Sequence, residues 1–162
     1  MDERAFQDHQ SAGIQRRVRV DELVADARAL AATGVPFRHQ GRGVEGLDCV
    51  GFIIYLMSQR GVVDVDDFRR DYGRLPMAEL VETIAKLCAP IAEPREGAMV
   101  LIRWPGEGRP AHAALLVEDA RGIGLNLIHC YKNAGGIVEH GFRGLWPKRA
   151  DSYWLLPWVS YE

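Results

Sequence analysis

The sequence predicts an α+β fold in which N-terminal helices pack on an antiparallel sheet. Helical patterns occupy the first part of the chain, and five short β-prone runs follow Gly97. Helices and strands do not alternate, and this order favours an antiparallel sheet over a doubly wound parallel one. The 162 residues suit one domain spanning residues 1–162, and no composition shift indicates an internal boundary.

The first two helices are indicated by apolar residues at helical spacing and by signals at their ends. Residues 20–32 form the first pattern, with Asp21 able to cap its start and Gly34 to stop it. The second helix is predicted over residues 48–60, with Asp48 as its N-cap and Gly61 after its end.

A third helix is predicted to begin at Pro76, with an apolar stripe formed by Leu80, Ile84 and Leu87. Residues 119–124 have the composition of a turn, so the runs on either side should form a hairpin. The five predicted strands are Met99–Trp104, Ala113–Glu118, Leu125–Tyr131, Ile137–Glu139 and Tyr153–Val159.

The composition is that of an ordinary globular domain. Hydrophobic residues make up 48% of the chain and charged residues 26%, which excludes disordered and collagen-like classes. The formal net charge of −2 lacks the basic bias of nucleic-acid binders, so no nucleic-acid partner is expected. No apolar run approaches the length of a membrane span, so no membrane partner is expected either.

The cysteine count and the N-terminus indicate where the protein is made. Three cysteines are too few for a disulfide framework, and a reducing compartment fits this odd number. The first residues, MDERAFQDHQ, lack the basic start and apolar run of an export signal. We therefore expect no signal peptide and synthesis in the cytoplasm.

Cys49 lies in the first turn of the second predicted helix. Free N–H groups and the helix dipole stabilise a thiolate there, which predicts a lowered pKa and a nucleophilic sulfur. Gly51 costs helix stability relative to alanine, so something must approach the backbone closely at that position. The alternative is a buried, inert cysteine. That alternative is preferred for Cys88, on the third helix, and for Cys130.

His112 and His129 lie in the two arms of the predicted hairpin. Their midpoint falls between Ala120 and Arg121, so a symmetric hairpin would set the two histidines directly opposite one another. Such a pair could orient and activate Cys49, be purely structural, or join Cys49 as zinc ligands. Zinc-motif spacing is absent, so no metal or other cofactor is predicted. His140 is expected to be exposed, and His9 lies in a polar N-terminal segment.

The chain resembles the NlpC-type family of cell-wall cysteine peptidases, which have a papain-like fold. The resemblance is carried by GVPFRHQ and GLDCVGF, then by HAALLVE, then by LIHCY with GGIVEH, and covers about residues 30–140. The RHQ motif and the Ile-Val-Glu segment after the second histidine are most similar to the corresponding segments of phage members associated with tail assembly.

The resemblance implies roles for particular residues. Cys49 would be the nucleophile, His112 the general base and then acid, and His129 the residue that orients His112. Asp48 matches a position close to the substrate. Family members usually have tyrosine where this chain has Phe37, so the backbone N–H of Cys49 would hold the oxyanion, with help from His39 or Gln40.

The sequence thus favours a cysteine endopeptidase that cleaves amide bonds in peptidoglycan stem peptides. The resemblance implies cleavage next to a γ-linked D-glutamate, and docking on phage tail proteins would deliver the enzyme to its substrate. Two alternatives stay open. One is a catalytically degenerate structural or binding component of a tail, favoured by Phe37. The other is an amidase or acyl transferase on the same fold.

Overall fold

The computed structural model describes residues 17–62, 79, 81 and 85–162. The first half of this chain contributes two helices and three very short strands, and the second half contributes most of the β-structure. In chain order the elements are β1 (Val18–Arg19), α1 (Val20–Ala32), β2 (Arg42–Gly43), β3 (Gly46–Leu47), α2 (Cys49–Gln59), β4 (Ala89–Ile91), β5 (Met99–Ile102), β6 (His112–Glu118), β7 (Leu125–Tyr131), a 3-10 turn (Lys132–Ala134), β8 (Gly136–Gly141), α3 (Trp146–Arg149), β9 (Ala150–Leu155) and β10 (Val159–Ser160).

A six-stranded sheet forms the centre of the fold, with its strands in the order β4-β9-β5-β6-β7-β8. Every neighbouring pair in this sheet is antiparallel. The predicted α+β class is therefore confirmed. Two smaller pairings complete the described strands: β1 runs parallel to β10, and β2 pairs antiparallel with β3.

The two faces of the sheet are covered differently. On one face α2 packs against β6 and β7, and α1 packs against β8. The core there joins helix residues such as Leu23 and Phe52 to inward-facing strand residues such as Leu115. The opposite face carries a second cluster with Leu116 and Leu127, and is covered by side chains from the chain's own loops and edges, including Trp146.

The helix boundaries follow the sequence signals with one exception. Asp21 lies inside the first turn of α1, so its prediction as the N-cap is wrong. Arg19 takes that position, and its backbone N–H donates to the Glu22 carboxylate at 3.1 Å. Gly34 follows the end of α1 with φ +74°, and Gly61 follows α2 with φ +65°. Both are left-handed conformations that glycine adopts at little cost.

The third predicted helix lies mostly outside the described residues, including its start at Pro76 and the stripe residues Leu80 and Ile84. Glu79, Val81 and Ala85 are helical, and Leu87 lies in the turn that follows. Cys88 comes after that turn, partly buried against the core. Its placement on the helix was therefore wrong.

The predicted strand Tyr153–Val159 is interrupted in the structure. β9 ends at Leu155 and β10 begins at Val159, with Pro157 in the turn between them. Proline has no N–H to donate to a ladder, so a strand breaks there. The short strands β1 to β4 were not predicted, because two or three residues are too few to show the alternation of apolar and polar residues that indicates a strand. Within the described ranges, no helix combines the length and apolarity needed to cross a bilayer.

Candidate active site

Cys49 is the first residue of α2, as the sequence predicted. Asp48 precedes the helix in an extended conformation, and its carboxylate accepts a hydrogen bond from the Gly51 N–H at 2.7 Å. This cap satisfies one of the N–H groups that a helix start leaves without an intrahelical partner. It fixes where the helix begins and thereby where the cysteine lies.

The Asp48 carboxylate also holds the loop before the helix. It accepts hydrogen bonds from the Gln40 N–H at 2.9 Å and from the Arg42 guanidinium at 3.2 Å. The side chains of Arg42 and Asp48 are 3% and 0% exposed, so this is a buried ion pair. The β2–β3 ribbon is thus tied to the start of α2.

Gly51 is required by the approach of another part of the chain. A Cβ at this position would lie 2.1 Å from the carbonyl oxygen of Gly41. Real Cβ atoms do not come that close, so the loop before the helix can reach Asp48 only because position 51 has no side chain. The close approach predicted at Gly51 is confirmed.

Burial controls the protonation of the Cys49 thiol. Residue 49 is 3% exposed, and this burial, reinforced by the negative charge of Asp48, raises the pKa of the thiol to about 12. Backbone N–H groups of Ala113 and Val50 act in the opposite direction. The expected lowering of the Cys49 pKa is wrong for this structure, because desolvation outweighs the helix start.

Cys49 opens onto a cleft of about 560 Å³ at the end of the sheet. The cleft combines the thiol, one buried imidazole, several aromatic rings and two side chains of opposite charge. Its lining residues are Phe37, His39, Cys49, Trp104, Glu107, Ala111, His112, Tyr131, Lys132 and Asn133.

His112 and His129 are in direct contact. The Nε2 atom of His112 lies 2.6 Å from the Nδ1 atom of His129, and both residues are buried. The hairpin register differs from the expectation, because Glu118 pairs with Leu125. The turn is therefore centred between Arg121 and Gly122, one residue later than expected, and the partner of each residue shifts by two. His112 and His129 are therefore diagonal neighbours instead of directly opposed. A two-residue shift keeps both side chains on one face of the sheet.

Both imidazoles are held in their neutral form. Burial lowers the pKa of His112 to about 3. Burial also lowers the pKa of His129, and the neighbouring rings of His112 and His140 lower it further. Together with the raised thiol pKa, this favours an uncharged thiol and an uncharged imidazole at rest. A resting thiolate–imidazolium pair is correspondingly disfavoured.

His140 was expected to be exposed, and this is wrong. It is half-buried on β8, and its Nε2 atom lies 2.9 Å from the Nε2 atom of His129. The register explains the contact, because His140 pairs with Leu127 and so shares the face of His129, two residues along β7. The same alternation could have been read from the sequence once a β7–β8 hairpin was assumed.

Aromatic rings enclose the histidines. Tyr131 stacks on His129 with ring centroids 5.2 Å apart, and Trp104 lies 5.2 Å from His112. Trp146 contacts both His129 and His140, with centroids 5.4 and 4.8 Å away. None of these aromatic residues was singled out from the sequence. Tyr131 lies two residues after His129 on β7, whereas Trp104 follows β5 and Trp146 begins α3, so only folding brings the two tryptophans to the histidines.

The other predicted site residues divide into two groups. Phe37 and His39 line the cleft with Cys49 and His112, while Gln40, Asp48 and His129 are not among its lining residues. Cys130 is buried as expected, and its thiol donates to the Leu47 carbonyl at 2.9 Å. Among the described residues, no group of three or more His, Cys, Asp or Glu is placed to hold a metal ion.

Helices packed on one face of an antiparallel sheet, with a cysteine at a helix start beside a strand histidine, define the papain-like class of proteins. Within that class, residues 34–142 match the model of the NlpC/P60 family, and the chain belongs to this family of cysteine peptidases.

Two solved structures illustrate the likeness. The crystal structure of the NlpC/p60 domain of the peptidoglycan hydrolase SagA is 17% identical with a TM-score of 0.56, covering 86% of this chain and 100% of that one. An NlpC/P60 family protein from Bacillus cereus ATCC 10987 is 17% identical with a TM-score of 0.55. That match covers 83% of this chain and 40% of the Bacillus chain. No curated protein sequence matches this chain.

Proposed function

We propose that this protein is a cysteine endopeptidase that hydrolyses amide bonds in peptidoglycan stem peptides. The observation that carries the proposal is the shared cleft of Cys49 and His112, with His129 hydrogen-bonded behind His112. Cys49 is the nucleophile, His112 the general base and His129 the orienting residue. Membership in a cysteine peptidase family supports the reaction, and SagA, a peptidoglycan hydrolase, supports the substrate class.

The reaction begins from the neutral pair. His112 takes the thiol proton as the sulfur attacks the amide carbonyl, and the backbone N–H of Cys49 stabilises the oxyanion. The tetrahedral intermediate then collapses, the C–N bond breaks and His112 gives its proton to the leaving amine. Water, deprotonated by His112, hydrolyses the thioester and restores the thiol.

The charges at the cleft fit a stem peptide. Lys132 and Glu107 are exposed at its rim and carry opposite charges. A γ-linked D-glutamate leaves its α-carboxylate free, and Lys132 would bind that group. Where the stem peptide contains a diamino acid, the free side-chain amino group of that residue would lie near Glu107. We therefore propose that the bond cleaved is the one next to γ-D-glutamate.

The experiment is a digest of purified muropeptides, with the products identified by mass spectrometry. The wild-type protein is expected to cleave and Cys49→Ala to be inactive, while Cys88→Ala, a matched cysteine outside the cleft, keeps its activity. Equal activity of wild type and Cys49→Ala, or none from the wild type, would contradict the proposal. Product masses separate a peptidase from an amidase or acyl transferase.

Phe37 favours a second candidate, a degenerate structural or binding component of a phage tail. Its ring lines the cleft beside Cys49 but brings no hydroxyl to the oxyanion. If the site is degenerate for this reason, the wild type is inactive and Phe37→Tyr gains muropeptide hydrolysis. Phe142→Tyr, which adds the same hydroxyl outside the cleft, is the control and gains nothing.

We further propose that the protein is made in the cytoplasm and reaches the wall with phage or prophage tail proteins. The support for this is the resemblance of the RHQ and Ile-Val-Glu segments to tail-associated members, which rests on the sequence alone. Mass spectrometry of purified phage particles from the source strain is expected to detect the chain. Its absence from particles that contain all other tail proteins would contradict the assignment.

A further inference from the structure

Three histidines form a continuous hydrogen-bonded chain that ends on a backbone carbonyl. His112 Nε2 meets His129 Nδ1 at 2.6 Å, and His129 Nε2 meets His140 Nε2 at 2.9 Å. The Nδ1 atom of His140 lies 3.2 Å from the carbonyl oxygen of Gly141. Each ring thus uses one nitrogen for each neighbour, and only the Nδ1 atom of His112 lies outside this chain.

The terminal carbonyl fixes the direction of every bond in the chain. A carbonyl oxygen only accepts, so a His140 ring with a single proton carries it on Nδ1 and has a bare Nε2. The bare nitrogen accepts from the Nε2–H of His129, which leaves Nδ1 of His129 bare. That atom in turn accepts from the Nε2–H of His112. The Nδ1 atom of His112 is consequently unprotonated.

The surroundings keep solvent from replacing these bonds. His112 and His129 are buried, and Tyr131 lies parallel to the His129 ring, at 9° between planes. Trp146 contacts the rings of both His129 and His140, and the guanidinium of Arg149 lies over the Trp146 ring at 5.5 Å. Buried polar atoms in such a site depend on their protein partners for hydrogen bonds.

We propose that His140 is a positioning residue that sets the tautomers of His129 and His112. By accepting from His129, it leaves the lone pair on Nδ1 of His112 available to take the Cys49 proton. This role rests on the proposed function, in which His112 is the base. The tautomers themselves are a property of the folded protein and can be measured without any substrate.

The first experiment reads the tautomers directly in the full chain labelled with ¹⁵N-histidine. Long-range ¹H–¹⁵N correlation spectra near neutral pH are expected to show His112 and His129 protonated on Nε2, and His140 protonated on Nδ1. In His140→Phe, His129 loses its acceptor and is expected to populate both tautomers. A wild-type His140 protonated on Nε2, or unchanged tautomers in His140→Phe, would overturn the proposal.

The second experiment compares His140→Phe with His140→Gln, whose amide oxygen can accept from His129 as the imidazole does. The phenylalanine variant is expected to lose about tenfold in kcat with little change in KM, because His140 does not line the cleft. The glutamine variant should stay within about threefold of the wild type. Equal losses in the two variants would overturn the role of the acceptor.

Failure of this inference is separable from failure of the proposed function. If the wild type hydrolyses no muropeptide, the proposed function fails. The wild-type spectra still show whether His140 sets the tautomers of His129 and His112. If the wild type is active and its tautomers differ from those given above, only the inference fails. A His140→Phe variant that does not fold leaves the wild-type spectra as the deciding measurement.

Discussion

At the residue scale, Asp48 organises the approach to the nucleophile. One buried carboxylate caps α2, holds the backbone of Gln40 and pairs with Arg42, while its charge raises the pKa of Cys49. Its capping role followed from the sequence, because Asp before an apolar helical pattern is a strong start signal. Its bond to Gln40 and its pair with Arg42 could not be predicted, since they depend on how the preceding loop folds back. A contact between Asp48 and substrate stays a prediction.

We expect Asp48→Asn to lower the pKa of Cys49, because the amide caps the helix without a negative charge beside the thiol. Alkylation of Cys49 by iodoacetamide, followed by mass spectrometry across pH, should therefore proceed faster near neutral pH than in the wild type. Asp48→Ala should destabilise the fold by about 3 kcal/mol and by more than Asp48→Asn, since both leave the buried Arg42 without its carboxylate but only alanine also removes the helix cap.

Asp21→Asn is the control for both effects, since Asp21 is an exposed acidic residue in the first turn of α1. It should change neither the alkylation of Cys49 nor the urea midpoint. An unchanged alkylation profile in Asp48→Asn would show that the charge of Asp48 does not control the thiol.

At the element scale, the position of the β6–β7 turn decides how the histidines meet. The Asp119 N–H donates to the Gly124 carbonyl at 2.8 Å, and the Asp119 side chain accepts from the Arg121 N–H at 2.8 Å. The loop therefore spans all six residues from 119 to 124. The β6–β7 register is centred between Arg121 and Gly122, one residue after the centre that would set His112 opposite His129. The shared face was nevertheless predicted correctly, because strand alternation depends only on whether a shift is even or odd.

The loop before α2 and the helix itself act as one unit through Gly51. Helix propensity alone would make Gly51→Ala stabilising by up to about 1 kcal/mol. We expect the opposite, a loss of about 2 kcal/mol or more, because the added Cβ would overlap the Gly41 carbonyl. Urea unfolding measures the change.

Gly43→Ala is the matched control, since a Cβ on Gly43 meets no atom within 4 Å. It should alter the free energy of unfolding by less than about 0.5 kcal/mol. A Gly51→Ala protein as stable as the Gly43→Ala protein would contradict the close approach.

At the scale of the whole molecule, two neutral histidines buried in one domain make its stability depend on pH. The folded-state pKa values of His112 and His129 lie below the ordinary value of 6.5. The unfolded chain therefore takes up protons first as the pH falls. The stability that these residues contribute is fully present above pH 6.5 and is lost as the pH falls towards their folded-state values.

Between pH 6.5 and 5 we expect each buried histidine to lower the free energy of unfolding by up to about 1.4 kcal/mol per pH unit. Urea titrations at several pH values measure this slope. His129→Gln should reduce this slope by about half. A free energy of unfolding that stays constant between pH 7 and 5 would show that the two histidines have the same pKa in the folded and unfolded protein.

The fold class, the two helices before the sheet, and the convergence of Cys49, His112 and His129 could all be predicted from the sequence. These features depend on the spacing of apolar residues, on capping residues at the helix ends and on short motifs, all of which are local properties of the sequence. The raised pKa of the Cys49 thiol, the enclosure by tryptophan rings and the contact of His140 with His129 depend on the folded arrangement. Burial and ring contacts join residues far apart in sequence. The thiol loses water when α2 packs on one face of the sheet, and the two imidazoles lose it when Trp104 and Trp146 cover the other face.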